Sequence, residues 1–235
     1  MSLYTYLFFM LGLSTFFIVM LTVVGRLEKR LVWQYGELQA QPPYPDATGY
    51  LERAFAGVQW AQFTFLGWAP DPRPKYLLNY GLFISPQRDC FAVISTGTIF
   101  NLPSRSTTLY TRTMDGKVYY TTDNQNGVQI DLIGNWLSQL APVPTFQQLL
   151  DRHRGLLRDK NVNVVPFTEG REIEEFRTLR MERYKTMEHR GIIAYIDGSE
   201  TSWHFTITGA FRYAMLNYTL GTLRAVTGGR VPRCL

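Results

Sequence analysis

From Leu3 to Val24 the chain carries no charged side chain, and the first charges beyond this run are Arg26, Glu28, Lys29 and Arg30. A run of this length matches the roughly 20 apolar residues that a helix needs to cross a hydrocarbon core, and it predicts an N-terminal transmembrane helix. A cleaved signal would have a basic start and a small-x-small cleavage site. Met1-Ser2-Leu3-Tyr4 holds no Lys or Arg and Val23-Val24-Gly25-Arg26 is a poor site, so a retained anchor is expected. Leu27, Leu31, Gln34 and Leu38 continue at helical spacing until Gln41-Pro42-Pro43-Tyr44-Pro45 breaks the pattern.

Beyond the prolines, Asp46 reads as the cap of a short helix through Tyr50, Leu51, Ala54, Phe55 and Val58. The period then changes from helix to strand. Strands are expected at 63–68, 76–85, 91–100, 107–113 and 118–122, separated by turn-forming groups such as Ser85-Pro86-Gln87-Arg88-Asp89 and Met114-Asp115-Gly116-Lys117. Short connections between consecutive strands require antiparallel neighbours, so the pattern predicts a meander of about five strands. An irregular stretch follows to Pro144. Thr145 caps the next helix, whose apolar stripe is Phe146, Leu149, Leu150, His153, Leu156 and Leu157. A charged amphipathic helix from Arg171 to His189 is closed by Gly191, and 192–196 with 202–206 read as a hairpin. The last helix, from Gly209 to about Val226, is apolar on nearly all sides, which predicts that it is buried or pressed against something.

The expected fold class is therefore α+β, with a single transmembrane helix, an antiparallel meander, flanking helices and a C-terminal helix–hairpin–helix. Three segments are predicted: an anchor with a juxtamembrane helix at 1–40, a proline-rich linker at 41–45 and an α+β domain at 46–235. Basic residues stay on the cytoplasmic side of a span. Arg26, Lys29 and Arg30 follow the run and none precedes it, so the domain is expected in the cytoplasm and the N-terminus outside.

Composition adds less. A chain 46% hydrophobic and 18% charged folds, and its two cysteines, Cys90 and Cys234, are too few for a disulfide framework or a zinc site. The net charge of +5 is partly accounted for by the membrane-proximal cluster and calls for no nucleic acid.

Candidate chemistry is sparse. None of the three histidines has a partner at ligand or triad spacing. His153 falls on an apolar stripe as a hydrogen-bonded core residue would, and His189 sits where a helix C-terminus favours a cation. The chain contains no HExxH, CxxC, GxSxG, GxGxxG or P-loop pattern, so neither an enzymatic activity nor a cofactor or metal is predicted. Arg180, on the apolar stripe of its helix, is read as a snorkelling stem. The order of helix, Gly191 and hairpin resembles the wing of winged-helix proteins over under a quarter of the chain. No helix-turn-helix precedes it, and DNA binding is not implied.

Gly12, Thr15 and Thr22 project onto one side of the first helix and form a candidate face for packing against partner helices. Leu27, Leu31 and Leu38 offer a second docking face, and the aromatic-rich domain, in a chain with 14 tyrosines, could supply interface anchors. The reading that follows is a non-catalytic accessory or structural subunit of a larger membrane complex. Its expected partners are other membrane subunits and the lipid bilayer. The alternative is a membrane-tethered sensor or ligand-binding domain with a pocket between the meander and the last helix.

Overall fold

The computed structural model describes residues 4, 12, 14–16, 18–20, 22–23, 26–27, 30–31, 37–45, 49–71, 76–99, 101–123, 134–143, 145–196 and 199–215. The chain divides into two compact units, one formed by 1–32 and 181–231 and the other by 33–180 with 232–235.

The larger unit is built on a six-stranded sheet of order β2-β3-β4-β5-β6-β7. Strands β2 (Thr64–Pro70), β3 (Tyr76–Ile84), β4 (Phe91–Ile99), β5 (Leu102–Arg112) and β6 (Val118–Thr122) are antiparallel in sequence order. β7 (Trp136–Leu140) adds on parallel to β6, with Val118 opposite Trp136. The sheet is therefore mixed rather than a pure meander. Residues 123–135 provide the dozen or so residues that a parallel return needs. β5 starts earlier than its hydrophobic alternation suggests. Ile99 pairs with Leu102 across a two-residue turn, in which Asn101 takes φ 65°.

Alternation along β3 and β4 feeds two cores at once. Leu78, Tyr80, Leu82, Ile84, Phe91 and Val93 enter one cluster, with Tyr110, Tyr120, Trp136, Phe167 and Phe176. Phe83, Ala92, Ile94 and Leu109 enter the other, with Ala54, Val58, Phe146, Leu149 and Leu150. The second cluster is covered by helices α1 (Tyr50–Trp60) and α2 (Phe146–Asp159). The first is covered by the opening turns of α3 (Glu172–His189), where Phe176 stacks on Phe91 at a centroid distance of 4.1 Å and meets Tyr110 edge-on at 5.1 Å. Helices on both faces make this a mixed α/β domain.

Local chemistry sets the helix ends. Thr145 accepts a bond from the Gln148 amide at 3.3 Å and caps α2 as its sequence predicts. α1 begins after Gly49, which takes φ 59°; Asp46 lies outside the described residues. The segment before α1 lies along the sheet. Gln39 and Trp68 exchange backbone bonds of 2.8 and 2.9 Å. The buried amide of Asn79 accepts from the Tyr44 N–H at 2.8 Å and donates to its carbonyl at 2.6 Å.

In the smaller unit, β8 (Ile193–Ile196) and β9 (Ser199–Phe205) form the predicted hairpin, and β1 (Arg30–Leu31) pairs with β9. Gly191, at φ 63°, closes α3. The helix at 207–215 packs its small residues inward, with Ala210 and Ala214 buried. Gly209 lets it approach the hairpin, since a Cβ there would lie 1.8 Å from the Ile192 carbonyl oxygen. Ile207 and Phe211 are exposed, so the described part of this helix is covered on one face only; its predicted continuation to Val226 lies outside the described residues.

The N-terminal expectation requires correction. Among the described residues no helix is long and apolar enough to cross a membrane. The transmembrane helix of the expected α+β class is therefore not retained. Nor is the single-pass localisation, with the N-terminus outside and the main domain in the cytoplasm. Hydropathy is a necessary condition for a span, not a sufficient one, and the pairing beyond the run follows a different logic. The helical periodicity through Leu27, Leu31 and Leu38 breaks because Arg30–Leu31 forms a strand opposite Ser202–Trp203. Arg26, expected near lipid headgroups, donates instead to the Phe205 carbonyl at 2.9 Å and to the His204 ring.

Because Phe176 is fully buried between two aromatic rings, Phe176→Ala is expected to destabilise the fold by about 3–5 kcal/mol. The check is equilibrium denaturation of the full chain, with Phe65→Ala on a partly exposed ring as the milder comparison.

Candidate functional site

The predicted site residues separate by environment. Gly12, Thr15 and Thr22 are helical. Gly12 and Thr15 are exposed, and the Thr22 hydroxyl donates to the Ile18 carbonyl of its own helix at 2.7 Å. Beside them, Phe16, Val19, Met20, Val23 and Leu27 are all exposed, Leu27 to 78%. On an ideal helix these five fall within about 100° of arc, which includes Gly12 and has Thr15 and Thr22 beside it. Of the basic cluster, Arg26 is bound to β9, Arg30 lies in β1 and Lys29 is outside the described residues. Leu27, Leu31 and Leu38 do not share a helix face. Leu27 is helical, Leu31 is in β1, and Leu38 packs against Gly67 and the first core cluster of the larger unit.

The most polar buried feature of the larger unit centres on His153, which has no solvent exposure. It presents from α2 towards two threonines on adjacent strands. Nε2 lies 2.9 Å from Thr111 Oγ1 on β5 and Nδ1 lies 2.9 Å from Thr121 Oγ1 on β6. Thr111 spends its single hydroxyl proton on the Asp89 carbonyl at 2.9 Å, so it can only accept from His153. This places the proton of the neutral ring on Nε2 and leaves Nδ1 as the acceptor of the Thr121 proton, the 2.9 Å contact being favoured over that hydroxyl's 3.4 Å contact to Gln139 Oε1. Burial, aided by nearby Arg154, depresses the imidazole pKa to about 3. Cys90 sits beside the same threonine, and burial together with Asp89 pushes its thiol up to about 12. Burial thus favours the neutral form of both groups.

Two further polar clusters tie elements together. Asp123 accepts from the Thr107 amide at 2.7 Å and from the Tyr50 hydroxyl at 2.9 Å, which joins α1 to the sheet; burial raises both side-chain pKa values. Arg112 donates to the Val165 carbonyl at 3.2 Å and to Glu175 at 2.7 Å while lying over the Phe167 ring at 4.5 Å, which fastens the α2–α3 connection. Arg180 is buried rather than snorkelling to the surface.

One surface cavity in this unit, of about 640 Å³, opens between α2, the β3–β4 turn and the strand-like segment after α2. Asp89, Asp151, Arg154 and Arg158 line it above an apolar floor that includes Leu157 and Val162. Sequence reading missed this grouping. The signal available was Asp151, Arg154 and Arg158 at i, i+3 and i+7 beside the apolar stripe of α2, whereas Asp89 reaches the site only through the folded turn. Among the described residues no group of three or more His, Cys, Asp or Glu side chains could hold a metal ion. No known family, curated protein or solved structure matches this chain.

The His153 geometry makes stability pH-dependent with a defined sign. The native state keeps the ring neutral, whereas an unfolded chain protonates it below about 6.5. Its contribution is complete above pH 6.5 and is lost as pH falls towards 3, by on the order of 5 kcal/mol in total. The stability gap between the unaltered chain and His153→Gln, measured by denaturation, should therefore narrow by about 1.4 kcal/mol per unit between pH 6 and 4.

Proposed function

We propose that the chain is a non-catalytic accessory subunit of a larger protein assembly. The supporting observation is the exposed stripe of Phe16, Val19, Met20, Val23 and Leu27. Large apolar side chains repeating on one helix face are the pattern by which an amphipathic helix seats in a partner's groove, and single exposed residues elsewhere, Trp60 at the end of α1 among them, carry no such meaning. The non-catalytic half of the reading draws on the state of His153 and Cys90, both sealed from solvent and held in their neutral forms. The membrane setting first expected rested on the span and is not carried forward.

Replacing Val19, Val23 and Leu27 together with Ser removes apolar surface that faces outward, so folding is expected to be unchanged by circular dichroism and melting. Tagged full-length chain isolated from its own cells should retain stoichiometric partners, and the triple substitution should reduce their recovery at least tenfold. A chain that emerges alone, or a triple variant that keeps its partners, rules out this docking face.

A further inference from the structure

The cavity on the larger unit combines three properties. Its volume of about 640 Å³ falls in the range of small-molecule sites. Its rim carries two guanidinium groups, Arg154 and Arg158, and two carboxylates, Asp89 and Asp151. Its floor includes Leu157 and Val162. Charges of opposite sign that line one cavity would ordinarily pair. None of the ion pairs formed among the described residues involves any of these four; the recorded partners are Arg88, Arg112, Lys117 and Arg171 with Glu169, Glu172, Glu175, Asp115 and Glu174.

Arg154 and Arg158 are four residues apart on α2 and so project from one stretch of the helix, with Asp151 one turn before Arg154. Guanidinium forks match the planar oxygens of a carboxylate. On the opposite sign, Asp89 is held in place: the Ser85 hydroxyl donates to its Oδ1 at 2.6 Å and Thr111 binds its carbonyl. Asp151 accepts from Gln147 at 3.0 Å. The bonds from His153 to Thr111 and Thr121 fix α2 against the sheet, so Asp151, Arg154 and Arg158 are carried on a pinned helix.

We propose that this cavity binds a short peptide with free termini, of two or three residues. The terminal carboxylate is received by Arg154 and Arg158, the terminal ammonium by Asp89 and Asp151, and an apolar side chain rests on Leu157 and Val162. A single amino acid would fill only a small part of the volume, whereas a di- or tripeptide fills more of it and brings an ammonium, a carboxylate and an apolar side chain to the same lining. The site lies in the larger unit and is independent of the docking stripe at 16–27.

The test is calorimetric titration of the full chain with Ala-Leu-Ala and with its N-acetylated and C-amidated forms. The unblocked peptide is expected to bind, and each blocking group to weaken binding at least tenfold. Arg154→Gln with Arg158→Gln should weaken the unblocked peptide equally and make amidation indifferent. Asp89→Asn with Asp151→Asn should do the same for acetylation. All four residues are at the surface or partly exposed, and melting curves check that the variants fold. Failure of Ala-Leu-Ala to bind at millimolar concentration overturns the proposal. So does equal binding of the blocked forms to the unaltered chain, a result that needs no variant. Inorganic phosphate binding as tightly as the peptide would make the rim a simple anion site and would also overturn it.

Discussion

Burial of β3 and β4 on both faces is the constraint from which the rest of the larger unit follows. A strand solvated on one side can alternate polar and apolar residues. Here Leu82, Phe83 and Ile84 are consecutive and all buried, as are Phe91 to Ile94. Such strands must be covered twice, and the chain supplies α1 and α2 for one face and the opening turns of α3 for the other. Tertiary packing, more than helix propensity, then decides where those helices lie. Burial at both faces also forces polar positions inward. Thr111 and Thr121 face α2 and meet His153, and Asn79 meets the backbone of Tyr44. These buried polar groups carry their partners with them, as the desolvation cost requires.

Much of this frame was legible in the chain. Period-two alternation located β2 to β6, and Thr145 capped its helix as predicted because a threonine hydroxyl before an amphipathic run has one obvious use. His153 read as a core residue because its position on the stripe left it no water. What was not legible has physical reasons. Trp136-Leu137-Ser138-Gln139-Leu140 contains no β-branched residue, and its strand state is imposed by the open edge of β6. Arg30–Leu31 is a strand only because β9 lies beside it, although the local spacing favours helix. A hydropathy window reads the N-terminal run without reference to any partner element, and so pointed to a span that the described helices do not provide. The cavity was invisible for a similar reason, since it joins α2 to a turn some sixty residues earlier in the chain.

The segment that binds Asn79 and Trp68 has an implication for how the sheet is guarded. Residues 37–45 lie against β2, the first edge of the sheet, and satisfy its backbone at Trp68. Their hold is local: one bridge, one two-pronged amide, and Leu38 fitted against Gly67, where a Cβ would approach the leucine to 2.9 Å. Composition alone makes this stretch look like a tether between parts. In the folded chain it is a strip of the sheet's wall. A chain lacking it would leave the Asn79 amide and the Trp68 backbone without the groups that satisfy them here, and a synthetic nonapeptide of the same sequence carries those groups, so the two pieces form a natural pair for reconstituting the fold from fragments.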